Sequence, residues 1–357
     1  MADAEVRAGV HLLVLTRYSR TGASSRVRFL QFVEDLRRDG SSDISFTVSP
    51  LLDDTYIETL YREGRRNKRY LVQRYLARMI ELLGCARYDG LWIEKELFPG
   101  LPAWVEQVLS ALGIRMIVDY DDATFVYYKL NPSSIIRRFM SNKIEAVCRC
   151  ATVVTTGNRH LSNFAALAGS REVVEMPSVV DHRRYEDAAK LRKSNEALTI
   201  GWIGSPSTAP YLGLFAGALS AAQKKHGARV MTIGAPDYEL DGVELDARPW
   251  SEATEASLVA DWDIALAPLP EGEFERGKCS FKVIQCMAAR VPVIASPYGA
   301  NLDIIEHGIN GYHASNSDEA ISLIDTLMHD KSLRQKIGLS GQQTVQRHYS
   351  VRAIAPV

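Results

Sequence analysis

The residues best placed to do chemistry lie in one segment, Pro268-Leu-Pro-Glu-Gly-Glu-Phe-Glu-Arg-Gly-Lys-Cys-Ser-Phe-Lys282, which continues through Val-Ile-Gln-Cys-Met-Ala288 to Val291-Pro-Val-Ile-Ala-Ser-Pro-Tyr-Gly299. Its pattern is a strand end, a polar loop carrying Gly277, and a helix beginning near Ser280. A helix N-terminus preceded by glycine offers free N–H groups and a partial positive charge, which suits an anion. Lys278 precedes the helix and Lys282 lies four residues on, so both could reach one phosphate. Gln285 follows one turn later on the same face. The competing reading is a solvated loop followed by an ordinary surface helix.

Other constellations are shorter. Gly201-Trp-Ile-Gly204-Ser205-Pro-Ser-Thr208 is a strand end and loop that offers hydroxyls and N–H groups but no cation; Ser or Thr there could equally cap the following helix. Arg248-Pro-Trp250 follows another strand, and Trp250 could stack on a ring or sit in the core. Thr21-Gly22-Ala-Ser-Ser-Arg26-Val-Arg28 follows the first strand without a GxGxxG fingerprint, so no dinucleotide site is indicated. Asp119-Tyr-Asp121-Asp122 and Glu94-Lys-Glu96 end two further strands. Adjacent carboxylates could bind hydroxyls or serve acid–base chemistry. Asp121 could instead be a helix cap, and Glu96 half of a buried ion pair.

These loops need strands to carry them, and the chain supplies short apolar runs that alternate with helical patterns, the mark of βαβ units and parallel sheets. In the first half, strands are expected at His11–Leu15, Ile44–Val48, Gly90–Ile93, Arg115–Val118, Val153–Thr155 and Val173–Met176. The second half restarts at Leu198–Ile203 and continues through Arg229–Ile233, Val243–Leu245, Ile264–Ala267, Val293–Ala295 and Tyr312–Ala314. Expected helices include Ser25–Arg38, Leu71–Leu83, Tyr211–Lys225 and Ser280–Ala289. The polar stretch Glu186–Glu196 reads as a linker or exposed helix. The expectation is an α/β protein of two doubly wound, Rossmann-like domains facing a central cleft: 1–182, 183–342, and a terminal segment 343–357 that could cross back to the first domain. In open α/β sheets, ligands bind beyond the carboxyl ends of the strands, where all these loops sit.

Composition is consistent with this reading. The 357 residues are 46% apolar and 24% charged with a formal net charge of −1, which gives no sign of nucleic-acid binding. The five cysteines form no CxxC pair, so neither a disulfide framework nor a zinc site is indicated and a reducing, cytoplasmic setting fits. The apolar run Val10–Leu15 is too short for a secretion signal, and nothing approaches the roughly 18 apolar residues of a membrane span. Arg62, Arg65, Arg66, Lys68, Arg69, Arg74 and Arg78 cluster with only Glu63 opposing them in that run. Such a segment is open to two readings, an anionic membrane-surface patch or a solvated helix face.

Ser280-Phe-Lys-Val-Ile-Gln-Cys-Met-Ala288, Val291-Pro-Val-Ile-Ala-Ser-Pro-Tyr-Gly-Ala-Asn301 and His307-Gly-Ile-Asn-Gly311 resemble the C-terminal signature of glycosyltransferase family 4. The resemblance is strongest from about Val180 to Ser350 and weaker from Ile93 to Tyr185. It implies the GT-B fold and a retaining, metal-independent transfer of a sugar from a nucleotide-sugar to a glycan or lipid-linked acceptor, with no further cofactor. The family pattern frames the donor site with two Glu residues, and here Gln285 aligns with the second (the ribose ligand) and Gly277 with the first. Glu275 or Glu273 could stand in for the lost carboxylate. The implied donor set is Gly22, Arg26, Gly204, Ser205, Thr208, Trp250, Gly277, Lys278, Lys282 and Gln285. The implied catalytic carboxylates are Asp121, Asp122 and Glu275, and Arg28 and Glu96 would face the acceptor. Asp119-x-Asp121 matches the metal-binding DxD of the other glycosyltransferase fold class, but the nucleotide-like loops all lie in the second half. Two rival expectations remain: a nucleotide-sugar epimerase of the same fold, using the paired carboxylates, and a non-catalytic nucleotide-sugar-binding subunit.

Overall fold

The computed structural model describes residues 9–39, 43–63, 67–192 and 197–355. The chain forms two compact units, 1–177 and 178–357. Unit 1 holds β1 (Val10–Tyr18), β2 (Ile44–Leu52), β3 (Gly90–Glu94), β4 (Met116–Tyr120), β5 (Val153–Thr156) and β6 (Val173–Glu175), all parallel, in the order β2-β1-β3-β4-β5-β6. From β2 onward each crossover steps toward β6. Right-handed connections therefore place the helices Lys68–Leu83, Trp104–Ala111, Thr124–Lys129, Ser134–Met140 and Lys143–Cys150 on one face. The β1–β2 connection steps the other way, so Gln31–Asp39 covers the opposite face, where Phe29 and Val33 pack with Val14 and Phe46.

Unit 2 holds β7 (Thr199–Ile203), β8 (Arg229–Ile233), β9 (Leu245–Arg248), β10 (Ile264–Ala267), β11 (Val293–Ala295) and β12 (Tyr312–His313) in the order β12-β11-β10-β7-β8-β9, again all parallel. Both faces are covered, as the continuous apolar runs require. Ala265 and Ala267 join the core with Trp262 and the helix Phe281–Ala288. Ile264 and Leu266 point the other way, to the core of Trp202, Phe215 and Ile324. This is the period-two alternation of a strand buried on both sides.

Local chemistry sets the element ends. Asn158, Asn316 and Asp330 each cap a helix through a side-chain oxygen. The expected helix from Tyr211 is instead a 3₁₀ run, Pro206–Phe215, before Ala216–His226, because Pro210 lacks the N–H that an α-helix interior needs. The stretch expected as a linker or exposed helix begins as a helix, His182–Lys190, anchored by the buried Tyr185. The C-terminal residues stay with unit 2: Val180 N donates to Tyr349 O, and Val351 N donates to Val180 O.

Candidate functional site

In unit 2 the strand order reverses between β7 and β10, and a ligand crevice is expected beyond the carboxyl ends of those two strands. Four loops meet there. Gly204 N donates to Ile233 O at 2.9 Å, and Gly234 N donates to Arg248 O at 2.9 Å, which joins the ends of β7, β8 and β9. Gly234 has φ +94°, and a Cβ on it would stand 2.2 Å from Gly204 O and 3.4 Å from Trp250 Cβ. Only glycine permits that approach.

The cation arrives from the helix Phe281–Ala288. Lys282 Nζ donates to Thr208 Oγ1 at 2.8 Å and lies 4.4 Å from the centre of a Trp202 ring. A Cβ on Gly204 would sit 2.3 Å from that ammonium nitrogen. Burial, aided by the nearby positive Lys278, pulls the Lys282 pKa down to about 7. Lys282 therefore stands partly discharged between an aromatic ring and a hydroxyl, and among the described residues no acid pairs with it. An entering anion would supply that partner. Lys278 packs its ammonium 4.5 Å from the Phe274 ring centre.

Ser280, which opens this helix, has φ +54°, a left-handed conformation that costs energy outside glycine, and among the described residues its buried Oγ has no hydrogen-bond partner. Gly277 closes the short helix Glu273–Arg276 with ordinary backbone angles, and Glu275 Oε1 accepts from Tyr211 OH at 2.8 Å. Ser205 Oγ lies 2.9 Å from Ser207 Oγ and 3.4 Å from Thr208 Oγ1.

Gln285 is buried, and its Nε2 donates to Tyr185 OH at 2.7 Å. Tyr185 OH donates to Glu255 Oε1 at 3.0 Å. Trp250 Nε1 donates to Glu255 Oε2 at 2.6 Å, and Arg184 pairs with Oε1 at 3.2 Å. A phenol has one proton, and the carboxylate takes it, so Gln285 must turn its NH₂ toward Tyr185 and keep its carbonyl oxygen as an acceptor. Burial and the Glu255 charge hold the Tyr185 phenol well above its ordinary pKa. Tyr185, Glu255, Ser280 and Tyr211 are additions to the residues expected from sequence.

In unit 1 the order reverses between β1 and β3, and the polar residues gather at the ends of β1, β3 and β4. Lys95, with φ +64° and little exposure, pairs with Asp121 Oδ1 at 2.8 Å and Asp122 Oδ2 at 3.1 Å. Burial alone would raise the Asp121 carboxyl, but Lys95 and its hydrogen bonds hold it down at about 2. Asp121 is thus a permanent anion, poorly matched to proton donation near neutrality. Burial pushes the Glu94 carboxyl up instead. Its Oε2 accepts from Arg17 N at 2.7 Å and from Ser25 Oγ at 2.6 Å, while Oε1 is buried without a partner among the described residues.

Several expected ligands are placed in structural roles. Arg28 is fully buried. It clamps Asp119 through Nε at 3.0 Å and Nη2 at 2.6 Å, and Nη1 donates to Met176 O at 2.6 Å, which removes it from the acceptor set. Glu96 pairs with Lys143 at 2.5 Å and accepts from Tyr128 OH at 2.8 Å, so the buried ion pair replaces the acceptor reading here. Arg26 donates to Arg20 O at 3.0 Å and holds the loop that starts at Gly22, where a Cβ would fall 2.4 Å from Tyr18 Cβ. In the basic run, Arg74 donates to Leu51 O and Pro50 O at 2.8 Å each, and Arg78 donates to Ser49 O at 2.9 Å. These two guanidiniums serve the sheet and not the surface. Lys68 and Arg69 are exposed, while Arg65, Arg66 and the Arg62 side chain lie outside the described residues.

Among the described residues, no helix is long and apolar enough to cross a membrane, and no group of three or more His, Cys, Asp or Glu is placed to hold a metal ion.

Residues 197–330 match the family model described as "Glycosyl transferases group 1". Comparison with curated proteins gives no match. Among solved structures, Anabaena Alr3699/HepE in complex with UDP and glucose superposes with a TM-score of 0.68 at 16% identity, covering 97% of each chain. Sucrose-phosphate synthase from Thermosynechococcus elongatus gives 0.67 at 13% identity over 97% of this chain and 96% of that one. The UDP-forming α,α-trehalose-phosphate synthase from Burkholderia xenovorans, in complex with glucose-6-phosphate, gives 0.63 at 10% identity over 98% of each. The two parallel six-stranded units are therefore those of the GT-B fold.

Proposed function

We propose that this chain is a glycosyltransferase that moves a sugar from a nucleotide-sugar to an acceptor hydroxyl, and that unit 2 holds the donor. The observation that carries the reading is the Lys282 ammonium, lodged against Gly204, Thr208 and Trp202 where the sheet order reverses. A diphosphate there would meet that cation, the Ser205 and Thr208 hydroxyls, and the first-turn N–H groups of the helix Phe281–Ala288. As the bond to the sugar breaks, negative charge grows on the departing diphosphate, and fixed donors stabilise it. Gln285 would accept a ribose hydroxyl at its free carbonyl oxygen, and Trp250, held by Glu255, would wall the base. That Alr3699/HepE was crystallised with UDP and with UDP-glucose supports a nucleoside-diphosphate ligand.

The finer reading is transfer with retention, without a metal ion, to a glycan or lipid-linked acceptor. Unit 1 takes the acceptor-side role on this reading. Asp121 and Asp122, both paired with Lys95, would accept hydrogen bonds from sugar hydroxyls, and Glu275 would stand near the donor sugar. Lys282→Ala tests the donor assignment. It should weaken nucleoside-diphosphate binding by about tenfold or more, the worth of a charge-assisted hydrogen bond, and leave nucleoside binding nearly unchanged. Equal losses for both ligands by calorimetry would remove Lys282 from the phosphate site.

A further inference from the structure

Unit 1 leaves a large apolar area uncovered on one side. In the segment that follows the Asp121–Asp122 loop, Tyr127, Leu130, Ile135 and Phe139 are all at least 60% exposed, with Ile135 and Phe139 at 69% each. Exposed single hydrophobics need no explanation, but a contiguous set does. The set continues onto neighbouring helices: Trp104 and Val108 stand four apart on Trp104–Ala111, and Val72, Leu76 and Ile80 stand four apart on Lys68–Leu83, all outward. Spacing of four puts each group on a single helix face.

Two observations join these faces into one surface. The crossovers that carry the three segments all lie on the same side of the sheet. Their inner sides also grip one loop: Tyr75 OH donates to Pro99 O at 2.5 Å, Leu97 N donates to Glu106 Oε1 at 3.0 Å, and Gly100 N donates to Tyr128 OH at 3.0 Å.

Charge identifies what covers the surface. The chain as a whole is nearly neutral, yet from Ala123 to Asn142 there is no acidic residue at all. Arg137 and Arg138, interleaved with Ile135 and Phe139, are exposed and make no ion pair among the described residues; Arg137 touches only the Asn131 and Pro132 carbonyls. On the helix Lys68–Leu83, Lys68 and Arg69 are exposed, and its one acid, Glu81, is paired with Arg78. The other three acids near this side are withdrawn from it: Glu96 and Glu106 are buried, and Glu145, little exposed, is paired with Lys129 at 2.7 Å. Apolar side chains flanked by unpaired cations and free of exposed acid match the interface of an anionic bilayer, where tails accept the former and headgroups the latter.

We infer that the segment Tyr127–Phe139, with Arg137 and Arg138, is a membrane anchor that seats unit 1 on an anionic lipid surface. The anchor begins five residues after Asp122, so a bilayer seated there would bring lipid beside the carboxylate loop. The inference stands whether or not the chain transfers sugars, and it places the main lipid contact away from Arg74 and Arg78.

Flotation of the full chain with phosphatidylcholine vesicles, with and without phosphatidylglycerol, tests it. The wild-type protein should float with the anionic vesicles and much less with the neutral ones, more weakly as salt rises. The pair Ile135→Ser and Phe139→Ser should lower partitioning by at least about tenfold, since each side chain buries apolar area in the interface. The pair Arg137→Glu and Arg138→Glu should abolish the preference for anionic lipid. Unchanged thermal unfolding and nucleotide binding in these variants would separate loss of the anchor from loss of the fold or of the donor site. Wild-type protein that fails to float, or serine variants that float equally well, would overturn the inference. So would a concentration-dependent dimer that the serine pair dissolves without any vesicle binding, because it would assign the surface to a second copy.

Discussion

Binding of a nucleoside diphosphate should draw a proton into the protein, and the number of protons can be worked out from Lys282. In the free protein burial and Lys278 hold its pKa near 7, so at about pH 8 roughly 90% of the side chain is neutral. A diphosphate in contact with Nζ supplies the missing counter-charge and returns the group toward its ordinary value of about 10.5. Complex formation should then take up about 0.9 proton at about pH 8 and about 0.5 at about pH 7. Affinity should correspondingly fall up to about tenfold per pH unit above 7. Calorimetry in buffers of different ionisation enthalpy measures this directly, and near pH 8 a free nucleoside diphosphate adds no titration of its own. Uptake near zero at that pH, or the same uptake in Lys282→Met, would refute the placement of the phosphate at this lysine. The same shift acts on stability with a definite sign. Below pH 7 the charged form is penalised only in the folded state, and the penalty fades as pH rises from 7 toward 10.5. Lys282→Met should therefore stabilise the free protein more at pH 6 than at pH 10.

Three further outcomes follow from the same geometry. Glu255→Gln leaves Trp250 or Tyr185 without its acceptor and Arg184 without its counter-charge. It should cost about 1–3 kcal/mol in unfolding free energy and weaken nucleotide affinity, with base discrimination by competition binding more affected than diphosphate affinity. Gly204→Ala places a methyl group 2.3 Å from Lys282 Nζ and 2.5 Å from a Trp202 ring carbon. It should lose diphosphate binding by calorimetry and about 1–3 kcal/mol of stability in denaturant. Asp121, depressed to about 2, stabilises the fold above its unfolded pKa near 4, and that contribution is lost as pH falls toward 2. Urea unfolding across this range should show a steeper decline for wild type than for Asp121→Asn.

Much of the fold is legible because parallel strands buried on both faces leave short continuous apolar runs, as at Ile264–Ala267 and Val293–Ala295, whose expected and observed bounds coincide. Reading failed where tertiary pairing overrides composition. The expected strand Val243–Leu245 is instead Leu245–Arg248, a polar edge strand recruited by β8. Of the site, Gly204, Thr208, Lys282 and Gln285 were visible because loop chemistry and helix spacing are local. Tyr185 and Glu255 were not, since Tyr185 meets Gln285 from 100 positions away and Glu255 from 70. Arg28 and Glu96 show the reverse error. Their residue types suit ligands, but their partners Asp119 and Lys143 arrive from distant segments and bury them. Nothing in sequence spacing ranks a buried pair above an exposed ligand.

Turnover decides between an enzyme and a binding protein. Wild-type protein and Lys282→Ala would be incubated with a panel of UDP-, GDP- and dTDP-sugars and a lipid and glycan extract, with release of nucleoside diphosphate and the anomeric configuration of the product followed by NMR. A glycosyltransferase of this kind should show acceptor-dependent release from one donor class, a product with the donor's own anomeric configuration, and a large loss in Lys282→Ala. Tight donor binding by wild type without any transfer would contradict it and leave a nucleotide-sugar-binding protein in place of an enzyme.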